Sequence, residues 1–379
     1  MDLSGGFFTA DFRDGQVYSA GKKYPAGHFA VTFMNQFYEN ETAGRIVIFS
    51  YEGQDILDQL RDGFLKISQY VRVGEKLHWA IKALPRLTPF DQIDQEALHA
   101  EVTDLFSEEC CRDIYDYFRY RGAIANIDEN EACIGFVDRI INRDYMRNLE
   151  RQIARIQEIL RFFLNLSEDL KKLHEALCLF VEWIDTAERF DEAHLLPIAL
   201  EFFGTPPLPY STQYIAAPKT SRSKSVSVTR RLTFDRFASF IYTDFFEGLH
   251  YGHYLRQCPI CEKYFLMQSA RRQVYCPTGY APELYRGQRL TCRKYAAVLR
   301  RKELAENDPV LDLYNRRAAA IRTEKNRGTI DPDFAKAAMA LARNRKLRAM
   351  DEENYAATEY EKDLSREKLY ADVRAGVRL

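Results

Sequence analysis

The first part of the chain alternates apolar and polar residues with a period of two. Residues 8–12, 16–19 and 45–49 follow this alternation, and turn-forming Asp, Gly and Pro residues stand between them. Alternation with intervening turn residues is typical of short strands in a small sheet. We therefore predict a small β-rich N-terminal region over residues 1–52, with a helical turn at 32–38.

The spacing of apolar residues changes to three and four in the middle of the chain. Ile56, Leu60 and Phe64 begin this pattern, and a long apolar stripe continues it over residues 131–165. Such spacing places apolar side chains on one face of a helix. The pattern predicts a helical domain over residues 53–205. The stripe predicts either core or a surface for a dimer mate or protein partner.

Local signals divide the chain further. A serine followed by two acidic residues at 167–169 predicts that a new helix begins there. After a Pro-rich turn, residues 213–216 and 226–231 predict a hairpin, and an aromatic-rich helix follows. These signals assign residues 206–255 to a hairpin plus an aromatic helix that leads into a cysteine-rich segment.

Residues 256–350 combine four cysteines with apolar stripes at helical spacing. Arginine-rich faces accompany the stripes after Cys292, which predicts helical hairpins after a small, basic zinc-binding module. Residues 351–379 predict a charged C-terminal helix. Together these patterns predict an α+β protein, mainly α. It has a small β-rich N-terminal part, a helical middle, and a C-terminal zinc-knuckle module followed by helical hairpins.

The composition is that of a folded protein outside the membrane. Of the 379 residues, 46% are hydrophobic and 13% are aromatic, which is not the composition of a disordered chain. No uncharged stretch reaches the length of a bilayer crossing, and the N-terminus lacks the basic and apolar regions of a signal peptide. We expect no membrane association and a cytoplasmic location.

The net charge of −1 conceals two regions of opposite sign. Residues 256–350 hold 21 Lys and Arg against 9 Asp and Glu, whereas residues 1–255 hold 28 against 38. A basic segment indicates a polyanionic partner, and DNA or RNA is the partner that we expect. The alternative is that the segment docks on the acidic part of its own chain or on a dimer mate.

Four cysteines in the basic segment form the one motif that requires particular chemistry. Cys258 and Cys261 stand in Cys-Pro-Ile-Cys, and Cys276 and Cys292 follow after gaps of fourteen and fifteen residues. A Cys-x-x-Cys turn supplies two thiolates from one knuckle, and zinc takes four ligands in a tetrahedron. We predict structural zinc (Zn) held by these four residues. A catalytic zinc would keep an open position and usually a His or carboxylate ligand.

Alternatives stay open at this site. The long gap before Cys292 leaves His253 as a substitute fourth ligand. A redox dithiol at Cys258 and Cys261, or no metal at all, are the others. The remaining cysteines are expected to be ordinary buried thiols: Cys110, Cys111, Cys133 and Cys178.

The cysteine module and the helices after it resemble a known group of proteins. Residues 256–265, 274–276 and 290–293 are similar to an uncharacterised family of Gram-positive bacteria with a C-terminal Cys-x-x-Cys zinc-finger module. The resemblance covers mainly residues 230–350 and implies zinc and a bacterial source. A looser similarity links the module to CGNR-type zinc fingers, although the Cys-Gly-Asn-Arg signature is absent. That second resemblance implies nucleic-acid binding.

The arginine-rich faces supply the candidate nucleic-acid-binding residues. Arginine outnumbers lysine after Cys292, and a guanidinium group binds phosphate bidentately. Tyr264, Tyr275, Tyr280 and Tyr285 are candidates for stacking on bases, or else they pack the small module. The candidate binding residues are Arg271, Arg272, Arg293, Lys294, Arg300, Arg301, Arg316, Arg317, Arg343, Arg345 and Lys346.

Catalytic motifs are absent from the sequence, and we name no catalytic residue. There is no phosphate-binding loop, dinucleotide motif, nucleophile elbow or metalloprotease motif. The leading hypothesis is a zinc-stabilised, regulatory nucleic-acid-binding protein that uses an Arg-rich C-terminal module. The alternative is a non-enzymatic protein-interaction or scaffold protein with a purely structural zinc. A metal-dependent, nuclease-like enzyme built from scattered carboxylates is third.

Overall fold

The computed structural model describes residues 8–39, 42–121, 143–187, 189–205, 211–218, 225–268 and 273–376. Over these residues the chain is an α+β protein, mainly α, which confirms the predicted fold class. The chain divides into two compact units, Met1–Cys276 and Pro277–Leu379. The division into five regions stays a prediction.

The first unit contains a five-stranded antiparallel sheet. Its strands are β1 Phe8–Arg13, β2 Gln16–Ser19, β3 Lys22–Pro25, β4 Ser211–Pro218 and β5 Val226–Phe234. Their order is β3-β2-β1-β5-β4, so β1 pairs with β5 across more than 200 residues of sequence. The predicted strands at 8–12 and 16–19 are confirmed. The predicted hairpin is confirmed too, with Gln213 opposite Arg231.

The described residues of the first unit also form eight α-helices. They are α1 His28–Glu39, α2 Thr42–Asp62, α3 Ile67–Ala83, α4 Gln95–Leu105, α5 Glu108–Arg121, α6 Arg143–Thr186, α7 Glu192–Phe203 and α8 Phe237–His250. Short 3₁₀ turns lie at Leu84–Arg86 and Phe90–Gln92. Aromatic rings join sheet to helix, since Phe8 stacks on Phe234 at 5.2 Å and meets the edge of Phe240 of α8 at 4.7 Å.

The strand predicted at residues 45–49 is wrong, because this segment lies inside helix α2. Ile46, Phe49 and Ile56 are all buried, and their spacing continues the helical pattern that follows. The ring of Phe49 packs edge-on against Phe163 of α6 at 5.5 Å. A short apolar run fits either a strand or a buried helix face, and here helix packing decides. The helical turn predicted at 32–38 is part of the longer helix α1.

The long apolar stripe belongs to helix α6. Its predicted part at residues 131–142 lies outside the described residues. From Arg143 onward the helix is continuous for 44 residues, and Ile156, Leu160 and Phe163 are fully buried in the core of the first unit. The described part of the stripe is therefore core, which was one of the two alternatives, and a partner surface on helix 131–165 stays a prediction.

The helix start predicted at 167–169 is also wrong. Ser167 lies in the middle of α6, where its hydroxyl donates to the Ser50 hydroxyl at 3.1 Å. Asp169 accepts a hydrogen bond from the backbone N–H of Ala238 at 3.0 Å and also binds Arg236. Serine and aspartate are typical helix-capping residues. Asp169 caps the first turn of α8, at which the N-cap residue makes no side-chain hydrogen bond of its own.

Helix α8 holds the start of α1 in the same way. The buried Asp244 carboxylate accepts backbone N–H bonds from Gly27, Phe29 and Ala30 at 2.8–3.0 Å. One turn later, a Cβ at Gly248 would lie 3.0 Å from backbone atoms of Ala26 and Gly27. The two helices therefore meet with their backbones in close approach.

The first unit ends in a two-stranded hairpin, β6 Tyr254–Gln257 and β7 Tyr264–Met267. The second unit contains β8 Tyr280–Tyr285, β9 Gln288–Thr291, α9 Cys292–Asn307, α10 Pro309–Asn326, α11 Pro332–Asp351, α12 Glu353–Thr358, α13 Tyr360–Asp363 and α14 Arg366–Arg374. None of the helices in the described ranges combines the length and apolar character needed to cross a bilayer.

The Asp331 carboxylate caps α11, since it accepts from the N–H groups of Asp333 and Phe334 at 3.2 and 3.0 Å. The single charged helix predicted at residues 351–379 is corrected to three short helices, with 377–379 outside the described residues. Tyr355, Tyr360 and Leu369 from these helices are buried in the core of the second unit, which the high charge of the segment conceals.

Candidate metal centre and basic surface

The Cys-Pro-Ile-Cys knuckle is the turn of the β6–β7 hairpin. The N–H of Cys258 donates to the Lys263 carbonyl at 3.0 Å, and the N–H of Glu262 donates to the Cys258 carbonyl at 2.8 Å. Glu262 has a φ of +58°, the left-handed conformation that closes the turn. Residues 264–267 form β7, which pairs with β6, whereas residues 274–275 are not part of a strand.

The four predicted zinc ligands come together. The Sγ atoms of Cys258, Cys261, Cys276 and Cys292 all lie within 4.8 Å of one another. Those of Cys261 and Cys276 are 3.6 Å apart. Four sulfurs about 2.3 Å from a central zinc would stand just under 4 Å apart, so the spacing is compatible with a tetrahedral site. Among the described residues, no other group of three or more His, Cys, Asp or Glu side chains is gathered in this way.

The environment of Cys258 favours the thiolate, which is the form that binds metal. Burial alone would raise the pKa of Cys258. Hydrogen bonds from the backbone N–H groups of Cys276, Cys261 and Ile260 outweigh it and lower the pKa to about 7. Cys292 is the first residue of α9, where the positive end of the helix dipole also favours negative charge.

The alternative fourth ligand, His253, has another partner. Its Nδ1 lies 2.9 Å from the carbonyl oxygen of Ala26, so the ring donates a hydrogen bond there. His253 does not belong to the group of gathered metal-binding side chains, whereas Cys292 does. Of the two alternatives, the geometry favours Cys292.

Neighbouring side chains position the knuckle. The Asn35 amide of α1 donates to the carbonyl of Tyr264 at 2.9 Å and accepts from its N–H at 2.8 Å, which holds the start of β7. Arg256 is buried, with its Nε 3.0 Å from the Asp185 carboxylate and its Nη1 2.7 Å from the Gln273 carbonyl. The positive charge of Arg256 is therefore neutralised by the Asp185 carboxylate.

The cysteines outside the cluster differ among themselves. Cys110 and Cys111 are buried, and burial raises their pKa values to about 11 and about 12, as expected for inert core thiols. Cys178 is only half-buried, with its sulfur 3.6 Å from Nε2 of His174, so it departs from the expectation of a buried thiol. Cys133 lies outside the described residues.

The candidate nucleic-acid-binding residues fall into distinct groups. Arg271 and Arg272 lie outside the described residues. The exposed members are Arg293, Lys294, Arg300, Arg301, Arg316 and Arg343. Lys346 is half-buried, with its ammonium group 5.3 Å from the centre of the Tyr314 ring.

Two of the candidates are corrected, because they hold the second unit together. Arg345 is buried, where it binds the Asp372 carboxylate and donates to the Asp363 carbonyl at 2.6 Å. Arg317 is half-buried and donates to the Leu364 carbonyl at 2.6 Å. Their guanidinium groups bind residues of the short C-terminal helices and of the turns between them. The sequence analysis assigned that segment to a separate charged helix.

Three of the exposed arginines meet at one cleft. Arg300 and Arg301 of α9 and Arg316 of α10 line a cleft of about 400 Å³, together with Leu304, Asp312, Asn315 and Ala319. Asp312 is buried, and its carboxylate lies 2.9 Å from Nε of Arg316, which orients that guanidinium group. The cleft presents cations and an amide donor from two facing helices.

Sequence analysis missed Arg286 and Arg289, which lie in the β8–β9 hairpin. Arg286 and Gly287 form its turn, with φ values of +52° and +74°. A pair of residues with positive φ between two short strands is the signature of a tight hairpin turn. The Arg-Gly pair between residues 280–285 and 288–291 is the signal that predicts this element.

The fold and the site define a mainly helical α+β protein with a four-thiol site compatible with structural zinc and an arginine-lined cleft. A family model described as "Family of unknown function (DUF6076)" matches residues 206–376, which is less than half of the chain. The chain is similar to that family over the cysteine module and the second unit, in line with the expected resemblance to a family without an assigned activity. No curated protein matches the chain, and no solved structure does.

Proposed function

We propose that this protein is a zinc-stabilised, regulatory nucleic-acid-binding protein that uses its Arg-rich C-terminal module. The observation that carries the proposal is the cleft lined by Arg300, Arg301 and Arg316. Guanidinium groups pair bidentately with phosphate oxygens, and Asn315 adds a further donor. The excess of 12 positive charges over residues 256–350 supports a polyanionic partner.

Zinc has a structural role in this proposal. Four thiolates complete a tetrahedron and leave no position for substrate or water. Cys292, a proposed ligand, is the first residue of α9, and Arg300 and Arg301 lie two turns further along the same helix. Metal binding would therefore fix the end of the helix that presents two of the three cleft arginines.

The test is a salt titration of nucleic-acid binding with the full chain, followed by fluorescence anisotropy. Duplex DNA, single-stranded DNA and RNA would each be titrated from about 50 to 200 mM salt, where phosphate contacts cost affinity steeply. We expect Arg301→Met to weaken binding and to reduce the salt slope by about 1, since one phosphate contact is lost.

Arg112→Met is the matched control. Arg112 is an exposed arginine of the first unit that pairs with Glu108 at 3.0 Å, far from the basic segment in sequence. Its replacement should leave binding unchanged. No binding to any of the three nucleic acids at the lowest salt, or equal losses in both variants, would contradict the proposal.

A protein-interaction function is the second candidate, and one observation favours it. The β4–β5 ribbon exposes Tyr214 (73%), Val228 (72%) and Val226 (59%), and Tyr214, Ala216 and Val228 share one face. Exposed apolar faces of this kind mark association surfaces. This candidate predicts an oligomer in light scattering that Val228→Ser dissociates and that Arg301→Met leaves intact.

A further inference from the structure

The β8–β9 hairpin of the second unit reaches into solvent. Every residue from Pro282 to Arg289 is exposed, whereas Ala281 at the base of the hairpin is buried. The first residue of α9, Cys292, donates its N–H to the Gly279 carbonyl at 3.1 Å and so closes the base. The hairpin is therefore anchored at one end and open at its tip.

Two tyrosines and a leucine are exposed on this hairpin. Tyr280 is 52% exposed, Leu284 65% and Tyr285 37%. The other two tyrosines that are candidates for stacking differ from them, because Tyr264 is buried in β7 and Tyr275 is half-buried. The structure thus separates the rings that pack the protein from the rings that face solvent.

Each exposed ring has an arginine beside it. The guanidinium carbon of Arg286 lies 5.3 Å from the centre of the Tyr285 ring, and that of Arg289 lies 5.7 Å from the Tyr280 ring. The acid of the hairpin, Glu283, accepts a hydrogen bond from the Tyr295 hydroxyl of α9. The tip therefore combines aromatic faces with positive charge.

We propose that this hairpin binds single-stranded nucleic acid, with bases stacked on Tyr280 and Tyr285 and phosphates paired with Arg286 and Arg289. Bases in a duplex are already stacked on one another, so a flat side chain meets a base face only in an unpaired strand. Aromatic rings interleaved with cations are the combination that such strands require. The inference rests on the proposed function and names the form of nucleic acid that it selects.

The experiment measures the affinity of the full chain for a fluorescent oligo(dT) and for a duplex of the same length. Tyr285→Ala and Tyr280→Ala should each weaken binding to the single strand about tenfold, the loss that follows from removing one stacked base. Duplex binding should stay within about twofold, and the salt slope should not change, because no phosphate contact is removed. Tyr285→Phe keeps the ring and should bind like the unaltered protein.

Two results overturn the inference, and they are distinguishable. If the alanine variants bind the single strand as tightly as the unaltered protein while Arg301→Met is impaired, the hairpin is not the binding site and the proposed function stands. If the unaltered protein binds neither of these nor RNA, the proposed function fails and the inference fails with it. Circular dichroism of each variant checks that the fold is intact.

Discussion

At the scale of single residues, two buried carboxylates of the first unit cap helices that lie far from them in sequence. Asp169 of α6 binds the first turn of α8, and Asp244 of α8 binds the first turn of α1. A cap normally stands directly before the helical turn that it serves, as Asp331 does, so a cap of this kind is recognisable in a sequence. Sequence reasoning cannot find a cap that is more than 200 residues away, because only tertiary folding brings it there.

Asp244 predicts a dependence of stability on pH. Burial raises the pKa of Asp244 to about 7, despite the hydrogen bonds from the N–H groups of Ala30, Gly27 and Phe29. An acid whose folded-state pKa is raised contributes stability that is full below about pH 4 and is lost as pH rises through about 7. From pH 5 to pH 7 we expect the free energy of unfolding to fall by about 2 kcal/mol more in the unaltered protein than in Asp244→Asn.

Urea unfolding at the two pH values measures this difference. Asp244→Asn is the matched variant, because an amide keeps the shape and one acceptor but does not titrate. Asp244→Ala removes all three acceptor contacts and should lower the free energy of unfolding by about 2 kcal/mol at pH 5. Parallel pH profiles for the aspartate and the asparagine would show that Asp244 does not titrate in this range.

At the scale of elements, the period of the hydrophobic pattern predicts most helices and the early strands, and tertiary packing explains where it does not. Residues 45–49 satisfy both periods, so only the neighbouring helix α6 decides that they are helical. The knuckle strand β7 was predictable from its apolar residues. The pairing of β7 with β6 was not, because only the folded knuckle brings the strand before Cys258 beside the strand after Cys261.

Helix α11 carries two arginines with opposite roles, and this predicts a pair of matched variants. Arg345 is buried against Asp372, and the hydrogen bond from Arg345 lowers the pKa of Asp372. Replacing Arg345 by Met leaves this carboxylate with Lys368 alone and should lower the free energy of unfolding by about 3 kcal/mol. Arg343 is exposed, so Arg343→Met should change it by less than about 0.5 kcal/mol.

Chemical denaturation of both variants tests this contrast. Weaker nucleic-acid binding by Arg345→Met would then be read as partial unfolding, whereas weaker binding by Arg343→Met would report a lost surface contact. Equal stability losses in the two variants would contradict the assignment of Arg345 to the core of the second unit.

At the scale of the whole molecule, the four cysteines are the best-predicted part of the site, and the basic surface is the least. Zinc ligation is recognisable from the sequence, because two of the thiolates come from one short Cys-x-x-Cys turn. A basic surface leaves only a count of charges, which does not separate the buried Arg345 from the exposed Arg343. The arginine cleft requires α9 and α10 to fold beside each other, and no spacing rule predicts that contact.

Metal removal should affect the molecule through this cluster. We expect about one zinc per chain in the purified protein and none in Cys258→Ser, whose thermal midpoint should fall by about 5 °C or more because metal binding contributes to folding free energy. Elemental analysis and calorimetry measure these changes. Cys178→Ser, which alters a half-buried thiol outside the cluster, should keep both the zinc and the midpoint. Equal zinc content in the two variants would contradict the predicted site.

The contact between α1 and α8 has a consequence for protein engineering. Asp244 and Gly248 lie one helical turn apart on α8, the first supplying acceptors and the second supplying room for the chain at Ala26 and Gly27. A side chain at position 248 would push away the backbone that the Asp244 carboxylate must reach. The role of Asp244 therefore depends on the glycine at position 248. A redesign of this helix should therefore treat 244 and 248 as one fixed pair, because every residue of α8 before His250 is buried or half-buried.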